Sequence, residues 1–80
     1  MLQPATLRRA IVAAIEDSEL PRTLIAKDAR LSRAALESWM SGLRNPTNES
    51  AEQIARALEK RAVLLNAVAV GLRRLPALRK

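Results

Sequence analysis

Arg33, Ala34, Glu37 and Ser38 interleave with Leu36 and Trp39 in one short stretch of an 80-residue chain. At helical spacing Leu36 and Trp39 share a face, so the other four project from the opposite side. An outward guanidinium can donate two hydrogen bonds to guanine O6 and N7, the commonest specific contact to a base. An alanine methyl is small enough to meet a thymine methyl, and a serine hydroxyl can reach a base edge or a phosphate. Glu37 has two open roles: it accepts from cytosine N4, or it pairs with Arg33 one turn earlier and orients it. Arg22 stands where a preceding helix begins, and exposed backbone N–H groups together with a cation can hold a phosphate there. Its plainer reading is a solvated arginine.

This is recognition chemistry rather than bond making. Cys and His are both absent, which removes disulfides, thiolate or imidazole metal sites and any nucleophile–imidazole pair. Asp28 and Glu37 have no histidine partner and no glycine-rich phosphate loop, and Lys27 beside Asp28 reads as surface charge. No catalytic residue, metal or cofactor is expected.

The elements that must position these side chains are two short helices and a tight turn. Ile25, Ala26 and Ala29 form one apolar face, and Leu36 with Trp39 forms a second. Ala26 is small where two steeply crossed helices approach, and Leu31 fills the corner between them. Ser32 is a good N-cap ahead of Arg33. The spacing predicts one helix from about Pro21 or Arg22 to Ala29 and another from Arg33 to about Met40, the second ended by Ser41-Gly42 with a left-handed glycine. A helix-turn-helix has this logic, its second helix held out to enter a DNA major groove.

Residues 21–46 resemble the Cro and phage-repressor type (XRE-like) helix-turn-helix DNA-binding family. Ile25-Ala26, Leu31-Ser32, Leu36, Trp39, Gly42 and Pro46 carry the resemblance, which extends more weakly over about residues 5–60. It implies that Leu43-Arg44-Asn45-Pro46-Thr47-Asn48 lies along the sugar-phosphate backbone, with Ser41, Arg44 and Asn45 as phosphate contacts; Asn45 reads equally as a turn former beside Pro46. The chain departs from the family at Arg30, where the turn usually has a left-handed glycine. The substitution costs about 1 kcal/mol and adds a cation near the presumed phosphate face.

Composition agrees with a small helical domain. The chain is rich in Ala, Leu, Arg and Glu, has one aromatic residue, Trp39, and two glycines, and no stretch alternates like a strand. A single aromatic at core spacing also argues against single-strand binding by stacking. The formal charge is +6, with residues 51–80 contributing most of it through Arg56, Lys60, Arg61, Arg73, Arg74, Arg79 and Lys80, so an anionic partner is expected. The longest apolar run, Ala62 to Leu72, is too short to span a bilayer and contains Asn66. Without a signal-peptide pattern, a cytoplasmic, soluble protein is expected.

The remaining segments complete the expected architecture. Leu7, Ile11, Ala14 and Ile15 follow one helical face after Pro4, and Leu20-Pro21 ends that helix. A fourth helix starts between Thr47 and Ser50, and Ile54, Ala55 and Leu58 pack back onto the pair. Leu65, Val68, Leu72 and Leu75 then make a seam that a small core cannot cover, so residues 61–80 are expected to dimerise, the alternative being a fold-back that completes the monomer core. The fold class expected is all-α: a compact bundle of four to five helices containing a helix-turn-helix at about 21–41, with a C-terminal apolar helix.

The function expected is a sequence-specific double-stranded DNA-binding regulator acting as a homodimer on a near-palindromic site. Phage-type repressor and autorepressing antitoxin both suit it. The alternative is a protein-interaction module that binds a toxin or polymerase subunit through the C-terminal helix. A membrane-surface binder built on residues 56–80 is disfavoured, because it gives the N-terminal half nothing to do.

Overall fold

Four α-helices and one 3-10 turn make up the computed structural model, which describes residues 3–78. They are α1 (Pro4–Ser18), α2 (Arg22–Ala29), α3 (Arg33–Met40) and α4 (Asn48–Arg73), followed by the turn at Pro76–Leu78. Among the described residues there is no strand, as the composition predicts. Pro4 occupies the first turn of α1. Ser32 and Thr47 cap α3 and α4, their hydroxyl oxygens accepting from the Ala35 and Ser50 amides at 3.0 and 3.1 Å. Such caps contribute about 1 kcal/mol each.

The first three helices close through residues with positive φ. Arg30 has φ 59° and Gly42 has φ 81°. At each, the same pair of bonds forms: Leu31 N–H donates to Ala26 O and Arg30 N–H to Lys27 O, while Leu43 N–H donates to Ser38 O and Gly42 N–H to Trp39 O. This is the Schellman closure, and in α2 it seats Leu31 over the helix it ends. Arg30 thus adopts the conformation that glycine adopts without strain. At the end of α1, Glu19 is also left-handed, with φ 57°. There Ser18 Oγ relays the closure, donating to Ile15 O at 2.7 Å and accepting from Leu20 N–H at 3.2 Å.

Ile11, Ile15, Ile25, Ala26, Ala29, Leu36, Trp39, Ile54 and Ala57 form the buried core, with Leu7, Val12, Leu20, Leu31, Ala35, Met40, Ala51 and Leu58 packed around it. All four helices contribute. Leu36 is completely shut off from solvent, and Trp39 is core, as its spacing requires. One expectation needs correcting: Ala55 is exposed and Ala57 is buried in its place. Ala57 lies three residues from Ile54 and shares its face, whereas Ala55 is rotated by about 100°.

α4 does not bend at Arg61 and does not fold back. It runs unbroken for 26 residues, packs through Ile54 and Ala57, and then leaves the body, every residue from Ala62 to Leu78 being exposed. The radius of gyration is accordingly 15.7 Å, against about 12 Å for a compact chain of this length.

At the point of departure, Arg61 donates from Nη2 (2.6 Å) and Nε (3.2 Å) to one Asp28 carboxylate oxygen. The side chains are 22% and 10% exposed respectively. Asp28 is therefore not a surface partner of Lys27. It clamps α2 to the root of the projecting helix. The sequence gives no local cue for this pair, whose members are 33 residues apart.

Two stability predictions follow from these contacts. Arg30→Gly relieves left-handed strain and is expected to stabilise the fold by about 1 kcal/mol, less the entropy that glycine adds to the unfolded chain; a thermal melt followed at 222 nm should show a higher midpoint. Removing either partner of the clamp destabilises, but unequally. Arg61→Ala leaves the more enclosed carboxylate without its partner, and should cost about 2–3 kcal/mol, more than Asp28→Ala, because an exposed guanidinium end can turn to water. Equal losses in urea titrations would contradict that ordering.

Candidate functional site

The candidate surface is built on α3. With Leu36 and Trp39 fixed in the core, Arg33 and Ala34 are exposed and Glu37 and Ser38 are half-buried at the edge of the same outward face. Arg33 has a side chain 68% exposed. Glu37 bridges two helices: Oε1 lies 3.8 Å from Arg33 Nε and Oε2 lies 3.5 Å from Arg22 Nη1. The second of the two roles open to Glu37 is therefore the one present in the free chain. Its partner Arg22, at the first residue of α2, is drawn toward α3 rather than left in solvent. These are long, half-exposed pairs, which hold side chains in place more than they stabilise the fold.

Ser38 is committed as a donor. Its Oγ lies 2.6 Å from Ala35 O, so its hydroxyl faces outward as an acceptor, suited to an amino group. Its carbonyl takes three donors, from Leu43 N, Arg44 N and Ser41 Oγ, at 2.9, 3.1 and 3.2 Å. The loop after α3 is thus fastened to the helix end. One consequence is that Leu43 and Arg44 have no amide hydrogen left to offer a ligand, so Arg44 acts through its guanidinium. A groove of about 300 Å³ runs between helix and loop, lined by Ser32, Ala34, Ala35, Ser38, Leu43 and Arg44. Leu43, 79% exposed, stands at its rim.

Asn45 is held from a distance. Its Oδ1 accepts from Arg8 Nε at 3.2 Å. Arg8, on α1, also brings Nη1 within 3.6 Å of where a Cβ at Gly42 would stand. Sequence reasoning missed Arg8, which reads only as a residue outside the buried face of its own helix. The contact spans 37 residues, and no local pattern encodes it. It adds a cation to the loop that already carries Arg44, and it turns the Asn45 amide into a fixed donor.

The expected cationic set is therefore divided by the fold. Arg22, Arg33 and Glu37 form one group, and Arg44, Asn45, Ser41 and Arg8 gather at the neighbouring loop. Arg30 lies elsewhere, lining a separate depression of about 290 Å³ with Asp28, Ala29, Gln53 and Arg56. The sequence places it beside the turn, but its left-handed backbone directs it toward α4.

Leu65, Val68, Leu72 and Leu75 are 56%, 62%, 54% and 49% exposed, so the expected seam is open to solvent. Among the described residues no group of His, Cys, Asp or Glu can hold a metal ion, and no helix is long and apolar enough to cross a membrane. Comparison with protein-family models, with curated proteins and with solved structures gave no match.

Proposed function

We propose that the protein is a sequence-specific double-stranded DNA-binding regulator that acts as a homodimer in the cytoplasm. The observation that carries this reading is the composition of the surface on α3 and the loop after it. The helix turns Arg33, Ala34, Glu37 and Ser38 outward as a set, with bidentate donor, small apolar and acceptor groups within two turns. The loop sets Arg44 and the Arg8–Asn45 pair alongside. Base edges are read by the first kind of group and phosphates by the second. An eight-residue helix is about 12 Å long, comparable with the width of a major groove.

Within this reading each residue has a distinct task. Arg33 reads guanine, positioned by Glu37. Ala34 lies against a thymine methyl, and Ser38 accepts from an exocyclic amine. Arg22, Arg44, Asn45 and Arg8 hold phosphates, and Ser41 joins them by turning its hydroxyl from Ser38 O to the phosphate. Arg30 is left out of the close contacts and contributes only long-range attraction. Regulation in this reading works by occupancy of a promoter, as a phage-type repressor or an autorepressing antitoxin does.

A second reading has a specific observation behind it. The exposed face of α4 suits capture of a different protein, such as a toxin or polymerase subunit, with the helix pair serving as scaffold. The two separate on Arg33→Ala, which leaves partner capture intact in the second reading and weakens the selected site while relaxing one base position in the first.

The primary test is selection from random duplexes, followed by anisotropy titration of the selected site against a scrambled one at several salt concentrations. A preference of about a thousandfold or more with a steep salt slope is expected; equal, weak binding to both duplexes would overturn the reading. Arg33→Ala should cost about 1–3 kcal/mol on the selected site and relax one position in each half-site. Arg44→Ala should instead weaken both duplexes alike and flatten the salt slope by about one. Glu37→Gln keeps the shape but releases two arginines. It should tighten binding to scrambled DNA while eroding the preference for the selected site.

A further inference from the structure

Beyond Arg61 the stripe of α4 that packs on the body continues into solvent. Steps of about 100° per residue carry it from Ile54, Ala57, Leu58 and Arg61 to Leu65, Val68 and Leu72. Ala62 to Leu72 contains no charged residue, whereas Arg73, Arg74, Arg79 and Lys80 follow with no acid among them. At the tip the Pro76–Leu78 turn brings Leu78 beside Ala69, Leu72 and Arg73, leaving a shallow groove of about 240 Å³.

We propose that a second copy of the chain covers this face, packed antiparallel, with the two-fold axis passing between Leu65 and Val68. The proposal rests on the dimeric DNA-binding reading above and fixes the geometry of its dimer. Leu65 then faces the partner's Val68, and Leu72 lies over the partner's Arg61, closing the Asp28–Arg61 clamp further from water.

Charge selects this orientation over the parallel one. Packed helices lie about 8–10 Å apart, close to one Debye length at physiological salt. Parallel pairing would bring Arg73 and Arg74 of both copies together at that distance and align two helix dipoles side by side. Antiparallel pairing carries each basic end to the level of the partner's Glu59, Lys60 and Arg61, where Glu59 and the Asp28 that pairs Arg61 offset the cations, and it opposes the dipoles.

Spacing selects it independently. Ile54 and Ala57, the buried residues of α4, mark the centre of each body along the helix. With the axis between Leu65 and Val68, a rise of about 1.5 Å per residue separates the two Ile54 positions by about 38 Å and the two Ala57 positions by about 28 Å, about 33 Å between their midpoints. One turn of DNA is about 34–36 Å. Parallel pairing gives no separation along the helix at all. The exposed half of α4 therefore has the length that two heads on successive major grooves need.

The chain contains no cysteine, so single cysteines carry spin labels without background. Asn66→Cys and Arg73→Cys lie off the stripe, and the latter leaves Arg74, Arg79 and Lys80 in place. Sedimentation of each labelled protein should show a dimer, and pulsed electron resonance should then give the two distances. Antiparallel packing displaces the Arg73 labels by about 20 Å along the axis and the Asn66 labels by less than about 2 Å, so the Arg73 distance must be clearly the longer. Equal distances mean parallel pairing and overturn the proposal, as does a dimer in which neither pair is close. A monomer at tens of micromolar removes the pairing itself, whatever the anisotropy titrations show for DNA. Val68→Glu, at an exposed position outside the core, should abolish the dimer while the thermal melt of the body persists; an undiminished dimer would also overturn the assignment.

Discussion

The burial of Leu36 and Trp39 in the core that α3 shares with α2 and α1 is the constraint from which the rest of the site derives. α3 has only eight residues, about two turns, so two core residues three apart fix its rotation. Turning the helix by one residue would move its outward set by about 100°, exposing the indole and burying a guanidinium. Neither is affordable in a core this small, where losing one large apolar side chain costs about 2–5 kcal/mol. The outward presentation of Arg33, Ala34, Glu37 and Ser38 is thus a by-product of where Leu36 must go. Glu37 then restrains the two arginines that the rotation leaves in reach.

Turn chemistry sets the angle between the helices that bury Leu36. The closure at Arg30 places Leu31 over the end of α2 and starts α3 three residues later, too short a connection to permit another crossing. That a charged residue holds the left-handed position shows the packing to be stronger than the local preference. A penalty of about 1–2 kcal/mol is sustained by the two amide bonds of the closure and by the seating of Leu31. Glu19 repeats the arrangement one helix earlier, with the Ser18 hydroxyl replacing a direct bond. In both places the side chain extends into solvent, where its charge costs nothing, so the strain is confined to the backbone.

What the sequence revealed and what it concealed divide along the same physical line. Periodicity and capping report on contacts within a helix or across a short turn, and from them the four helices, the Ser32 cap, the left-handed Gly42 and the buried Trp39 were legible, while the start of α4 stayed open between Thr47 and Ser50. The pattern alone leaves open whether α4 runs on past Arg61 or bends there: no glycine or proline interrupts it before Gly71, but its apolar residues spread widely around the helix. Contacts between distant segments were not. Arg8 with Asn45 and Asp28 with Arg61 are pairs of ordinary surface-type residues, and nothing in their immediate neighbours distinguishes them from solvated charge. Ala55 was misplaced for a related reason: alanine is tolerated on either side of a helix, so only the registration of Ile54 in the core decides which alanine is buried.

The projecting half of α4 ties the order of this chain to its assembly. A segment of a dozen residues is too short to be a stable helix in water alone, because nucleation is costly and few hydrogen bonds repay it. Val63, Val68 and Val70 lower its intrinsic preference further. Here the packed half supplies the nucleus, and each further residue needs only to propagate. Order should therefore decline from Arg61 outward in an isolated chain, and the Asp28–Arg61 clamp sits where that decline begins. Covering the stripe would reverse the gradient, because apolar burial adds stability at the end furthest from the nucleus. Any occupant of this face consequently acts on α2 as well, through the Asp28–Arg61 ion pair that joins the root of the projecting helix to the helix against which α3 is oriented.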